Sequence, residues 1–381
     1  MSMDLRSKAA VAGVGLYGLG EAPGETHMEI MARAVKAALD DAGVALAEVD
    51  GLFTTNMNNL LAGPSVAEYL GIVPRVTDAT NFGGSAFVAY LQSATMAIAT
   101  GLCEVALICY GSNQRTASGK LHSPVEPQPY EAPYKPRNPI TAYALATARH
   151  MHDFGTTRRD LAEVAVSMRD WAQLNPDAFL RDPLSVDEVL AARMVADPLS
   201  VRDCCLVTDG GGAVVLVSEA RARTLRKAPV WVRGFGVAHT HKSIMEMPEL
   251  TISPAAISGP LAFDMAGVTP KDIDIVELYD AFTINPILFM EDLGFCPKGQ
   301  GGRFFTEGHS RPGGRLPVNT NGGGLSCTHP GMYGVFTIIE AVQQLRGEAG
   351  ARQVSDCALA LVHGNGGTLA SQATGILGLE R

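Results

Sequence analysis

Four short stretches of this chain put acid–base and carbonyl chemistry next to glycine-rich backbone. They are "NFGGSAF" (81–87), "ELYDAFTI" (277–284), "NTNGGGLSCTHPGMYG" (319–334) and "HGNGG" (363–367). A histidine fixed between a glycine turn and a proline, as His329 is by Pro330, can hold an oxyanion or take a proton. A tyrosine can exchange a proton with a substrate hydroxyl, but its reference pKa of roughly 10 calls for positive or hydrogen-bonding neighbours. A serine hydroxyl is a poor nucleophile unless a base activates it, and no acidic group that would orient such a base is visible beside Ser85. Glycines let backbone N–H groups come close to a reacting carbonyl.

These stretches must be positioned by the rest of the chain, and the chain repeats itself. "AGVALAEVDGLFTTN" (42–56) has a counterpart in "AGVTPKDIDIVELYDAFTIN" (266–285). Each follows an Ala-rich helical pattern, and before that comes a Val/Gly-rich strand, "AAVAGVGLYG" or "VWVRGFGVAH". The later parts match too. "NFGGSAFVAYLQSATMAIATGLCEVALICYG" and "NTNGGGLSCTHPGMYG…CALALVHGNGG" each read as a glycine turn, a helix and a strand. Two βαβαβ-type halves imply an α/β class with helices layered between strands. The expected boundary lies near 220–229, giving halves of 1–225 and 226–381. The first half carries a Pro-rich insert at about 115–140, expected as an extended flap, and a helical segment at 141–200.

Composition narrows the function. With 381 residues the chain can bury a large core, and a net charge of −9 argues against nucleic acid as the main partner. The start lacks a long apolar stretch, so no secretory signal is read. The apolar run "MAIATGLCEVALICYG" is broken by Gly101 and Glu104, so no membrane span is expected and a cytoplasmic location is. The seven cysteines are scattered without metal-site spacing, which reads as reduced thiols. His150 and His152 cannot share a helix face, so no metal is expected there.

Taken together, the duplicated halves, "DGGGAVVLV" (209–217), "ELYDAFTI", "NTNGGGLSCTHPG" and "HGNGG" resemble the thiolase superfamily over essentially the whole chain. The resemblance is to its sterol-carrier-protein and lipid-transfer branch. It implies a five-layered αβαβα fold, usually a homodimer, acting on coenzyme A thioesters, with CoA arriving as part of the substrate and no covalently bound cofactor. Relatives use a Cys at the N-terminus of the first buried helix, where the helix dipole favours a thiolate. The matching position here is Gly84. The relatives' second Cys is also missing, with Val362 and His363 in its place.

What the resemblance leaves is a pocket without the usual sulfurs. His329 matches the family's His-Pro histidine and is expected to hold an enolate oxygen or act as a base. Tyr279 stands where relatives carry Asn or His, and Tyr333 opens the second buried helix; both are acid–base candidates, with packing as the alternative for each. Gly83, Gly84, Ser85, Asn321, Gly323, Gly324, His363 and Gly366 are expected to form the oxyanion and substrate-binding surface. Asp280 is read as a helix cap, Cys327 as a packing residue and Cys296 as a turn residue. Claisen cleavage needs an acyl acceptor, whereas retro-aldol cleavage of a β-hydroxyacyl thioester needs only a base and an oxyanion site. The sequence therefore resembles the aldolase members of this branch, which shorten steroid or other branched side chains alongside a small OB-fold and zinc-ribbon partner. An acyltransferase of the acetyl-CoA acetyltransferase kind using another nucleophile, and a non-catalytic acyl-CoA or lipid-binding scaffold, remain as alternatives.

Overall fold

The computed structural model describes residues 4–119 and 129–381. Among these, the strands are β1 (Ala9–Gly20), β2 (Gly51–Thr54), β3 (Val76–Asp78), β4 (Val105–Ser112), β5 (Met194–Ala196), β6 (Leu199–Ser200), β7 (Asp209–Ser218), β8 (Val230–His239), β9 (Ile275–Leu278), β10 (Leu359–Gly366) and β11 (Ser371–Gly378). β5 and β6 make a small hairpin, and the other nine form one mixed sheet in the order β3-β2-β4-β7-β1-β8-β11-β10-β9. Strands β1 and β8 meet over two residue pairs only, Ala10 with Trp231 and Val11 with Val230.

Two helices, Ala86–Ala99 and Gly334–Leu345, touch strands from both ends of that order. Ala86–Ala99 packs on β2, β4 and β7 and also on β8, β10 and β11. Its sequence, "AFVAYLQSATMAIA", is apolar nearly all round, as a helix enclosed by strands must be. Outer helices cover the far faces. His27–Ala42 lies on β1, β4 and β7, and Ala255–Ala266 lies on β8 and β11. The result is the helix–strand–helix–strand–helix layering expected from the sequence.

The repeated Gly-x-Gly of β1 and β8 explains how closely the outer helices sit. A Cβ on Gly13 or Gly15 would come within 2.3 Å of a carbonyl oxygen of His27–Ala42. On Gly234 or Gly236 it would come within 2.2 Å of one in Ala255–Ala266. The helix backbones therefore rest directly on the strands, which no larger residue allows.

Part of the Pro-rich insert, residues 120–128, lies outside the described residues. The part that follows makes a tight turn at Ala132–Tyr134 and lends Glu131, Asn138 and Pro139 to the lining of a cavity. There Glu131 accepts hydrogen bonds from Ser243 Oγ and, at 3.3 Å, from Asn138 Nδ2. The helical segment resolves into Ile140–Phe154 and Arg158–Gln173. His150 is buried between Thr156 and Glu291 at 2.8 and 3.0 Å. No His/Cys/Asp/Glu group suited to a metal occurs among the described residues, and none of their helices is long and apolar enough to cross a membrane.

Candidate active site

A cavity of about 510 Å³ opens where the C-terminal ends of parallel strands β9 and β10 meet the N-terminal ends of the two buried helices. Such a place suits a reaction that builds negative charge, because both helices direct a positive dipole end toward it. Tyr279 follows β9, Gly366 ends β10, Gly83 and Gly84 precede Ala86–Ala99, and His329 precedes Gly334–Leu345. All five line the cavity.

Tyr279 and His329 are in contact. The phenol oxygen lies 3.1 Å from His329 Nε2 and can donate to Gly331 O at 3.3 Å. A phenol has one proton, so it serves one of these acceptors at a time. His329 is held by its backbone: its N–H donates to Thr208 Oγ1 at 2.9 Å, and its carbonyl accepts from Gln114 Nε2 at 2.8 Å. Burial pushes His329 down to about 4, so the ring is neutral near pH 7 and able to accept a proton. Burial raises Tyr279 well above the usual phenol value, so it rests as the phenol.

Asp280 is not the helix cap expected from the sequence. The following helix starts at Ile284, with no side-chain cap on it. The Asp280 carboxylate turns instead into the glycine loop and accepts from Gly324 N at 2.6 Å and Leu325 N at 3.3 Å. These bonds pin the wide turn Gly323–Cys327, closed by Thr328 N to Gly323 O, from which the chain reaches His329. Burial raises Asp280 to about 7 in spite of the N–H groups that favour its charge.

The remaining expected residues stand one layer back from the cavity lining. The Tyr333 ring is edge-on to Tyr279 at 5.7 Å, and its hydroxyl donates to Asn321 Oδ1 at 2.9 Å. Asn321 Oδ1 also accepts from Gly323 N, which ties Tyr333 to the turn. Ser85 does not present its hydroxyl to the cavity as expected; it lies between Phe82 O at 3.0 Å and Ser371 Oγ at 2.8 Å. His363 does not line the cavity either, because it is two residues deeper on β10 than Asn365. It reaches the lining through a chain: His363 Nε2 to Gln372 Oε1, Gln372 Nε2 to Asn365 Oδ1, and Asn365 Nδ2 to Tyr143 Oη, each at 2.7–2.9 Å. Thr374 Oγ1 lies 2.9 Å from the other ring nitrogen. Burial lowers His363 to about 3.

Several lining residues were not read from the sequence. Tyr143 and Phe282 stack with centroids 4.3 Å apart and wall the cavity with Met57, Phe82, Ile244 and Met332. Asn365 brings an amide to the same wall. Cys205 is also there, so the pocket holds a thiol, though at neither of the two positions the resemblance assigns to cysteine. Its N–H donates to Ala281 O at 2.8 Å, and burial holds the thiol well above its usual value, hence neutral and weakly nucleophilic. Only the chance that residue 281 or 282 lines a site next to Tyr279 was a usable signal; a thiol in "RDCCLV" had none.

Comparison with known proteins agrees with this architecture. A thiolase C-terminal domain-like family profile matches residues 236–379. The chain is 36% identical to an acetyl-CoA acetyltransferase of Methanothermobacter thermautotrophicus, covering 94% of this chain and 96% of that protein. It is 33% identical to a steroid side-chain-cleaving aldolase of Thermomonospora curvata, covering 99% of each. The solved structure of an Ltp2-ChsH2(DUF35) aldolase superposes with a TM-score of 0.90 at 33% identity over 99% of both chains. Identity over nearly the whole length and shared layering lead to one conclusion: the chain belongs to the thiolase superfamily, in its sterol-carrier-protein-type branch.

Proposed function

We propose that the protein is a retro-aldolase that splits the Cα–Cβ bond of a β-hydroxyacyl-CoA. The observation that carries this reading is the 3.1 Å contact between the Tyr279 phenol and a neutral, buried His329, beside Gly84, the position that the family resemblance assigns to a nucleophilic Cys. Tyr279 takes the proton of the substrate β-hydroxyl while passing its own to His329 Nε2. The Cα–Cβ bond breaks, releasing a ketone or aldehyde and leaving the enolate of the shortened acyl-CoA. Backbone N–H groups at Gly84 and Gly366 stabilise the thioester oxygen as charge builds, while Gly83, whose N–H donates to Asn81 Oδ1 at 2.9 Å, shapes the turn that presents them. The proton on His329 returns through Tyr279 to the enolate carbon, so atoms and charge balance without an acyl acceptor. Asp280, Asn321, Gly323, Gly324 and Tyr333 act as positioning residues for the His329 loop.

The apolar walls favour a lipid- or steroid-type acyl group, and the relatives named as a steroid side-chain-cleaving aldolase and as 17-hydroxy-3-oxo-4-pregnene-20-carboxyl-CoA lyase support that class. CoA enters as part of the substrate. We extend the proposal to a small OB-fold and zinc-ribbon partner, supported by the two-component name of the superposed aldolase. We also propose a cytoplasmic homodimer of two-halved subunits divided near residue 225. The edge strand β3, which pairs on one side only among the described residues and lies beside exposed Val73, Leu60 and Leu61, supports pairing.

A second reading, acyl transfer, is favoured by the acetyltransferase relative and by Cys205 in the cavity wall. One experiment separates the two. The protein, alone and with its partner, is incubated with β-hydroxyacyl-CoA and with acyl-CoA. Release of a carbonyl compound without any mass increase on the protein supports the aldolase; an acylated protein and no carbonyl product replaces it with the transferase.

A further inference from the structure

We propose that Gly84 and Tyr279 are a specificity-determining pair: the Tyr279 ring fills the space that any side chain at position 84 would occupy, so the phenol and a side-chain nucleophile at this helix end exclude one another. A Cβ built on Gly84 would lie 1.9 Å from Tyr279 Cε2 and 2.6 Å from its hydroxyl oxygen. Nothing in the backbone asks for glycine there, since Gly84 is absent from the residues with positive φ, unlike Gly83 at +71°. The requirement comes from the ring.

Neither partner can retreat. The Gly84 carbonyl faces Gly334 so closely that a Cβ on Gly334 would lie 2.2 Å from it. On the other side, a Cβ on Gly366 would lie 1.6 Å from Phe82 O, so the preceding turn is already in backbone contact with β10. The Tyr279 ring is 4% exposed and set edge-on between His329 at 5.5 Å and Tyr333 at 5.7 Å. Its own N–H is fixed to His363 O at 3.1 Å. A side chain at 84 must therefore displace the phenol from His329 or part the two glycine loops. This deepens the proposed retro-aldol reading: one residue type at 84 selects which chemistry this end of the helix can host.

A double-mutant cycle tests it. Gly84→Ala, Tyr279→Ala and the double variant are compared in the full-length protein by thermal unfolding and by steady-state cleavage of β-hydroxyacyl-CoA. Gly84→Ala alone is expected to lower Tm by at least roughly 3 °C, as overpacking of a closed site does. In the Tyr279→Ala background the same change is expected to shift Tm by less than about 1 °C, because the conflicting atoms are gone. Turnover by Gly84→Ala is expected to fall at least about 100-fold in kcat with KM within about threefold. Equal Tm losses in both backgrounds, or a stable and fully active Gly84→Ala, would overturn the pairing. If the wild type cleaves no β-hydroxyacyl-CoA, the reaction assignment fails while the unfolding cycle still decides the steric claim.

Discussion

Replacing Tyr279 by Phe removes one oxygen atom and leaves the ring that shapes the cavity. That oxygen is 3.1 Å from His329 Nε2 and 3.3 Å from Gly331 O, and its single proton serves one of them at a time, so its loss removes one buried hydrogen bond. Leaving one buried group without its partner costs about 1–3 kcal/mol, which sets the expected fall in stability. The catalytic effect should be larger. A positioned acid–base group contributes typically 10²–10⁴-fold, or about 3–5 kcal/mol of barrier at 1.36 kcal/mol per decade. Because the ring still fills its place, substrate binding should hardly change, and the loss should fall on kcat. The assay is single-turnover release of the carbonyl product from β-hydroxyacyl-CoA, with wild type and variant compared at saturating substrate. If the Phe variant keeps kcat within about threefold, or loses activity only through KM, the proton path through Tyr279 is wrong.

Other consequences follow from the same geometry. His329→Ala should lower kcat by about 10²–10³, as loss of an oxyanion or relay group does, and the wild-type rate should fall as pH drops toward 4, where the buried imidazole becomes protonated. Its lowered value also means that the native state binds fewer protons than the unfolded chain between about 4 and 6.5, so this residue's contribution to stability is lost as pH falls through that window. For Asp280 the sign is reversed: a carboxyl raised from 3.8 to about 7 makes the folded protein less stable as pH rises between those values. Asp280→Asn, which keeps an oxygen for Gly324 N, should therefore gain Tm relative to wild type as pH is raised from 4 to 8; a difference independent of pH would contradict this. Cys205→Ser should retain kcat within about threefold and show no change in protein mass on exposure to acyl-CoA, since a neutral buried thiol is a poor nucleophile.

The parts of this molecule legible in its sequence are those where backbone geometry dictates residue type. Glycine-rich turns next to β9, β10 and the buried helices betray their positions, which is why Tyr279, His329, Gly83, Gly84 and Gly366 were read as neighbours and share one cavity. The Gly-x-Gly of β1 and β8 similarly exposes the repeat, because only a strand carrying a helix on bare backbone needs it. What escaped depends on long-range packing. Tyr143 and Phe282 are more than a hundred residues apart and form a wall only after the helix Ile140–Phe154 and the segment following β9 come together. Asp280 looked like a cap because Asp before a helix commonly is one. It was claimed instead by two N–H groups from residues 324 and 325, a competition that no local pattern reveals. His363 sits next to the right loop in the sequence, but reach into the cavity depends on depth along β10, which chain position alone does not give.

The interleaving of the Phe82–Gly84 turn with Gly366 has a bearing on how the protein comes to life. Segments far apart along the chain must close on each other before any thioester could be gripped. A chain in which β10 and β11 have not yet joined the sheet therefore lacks one wall of the cavity, and the non-local pairing that supplies it is the kind of contact that slows folding.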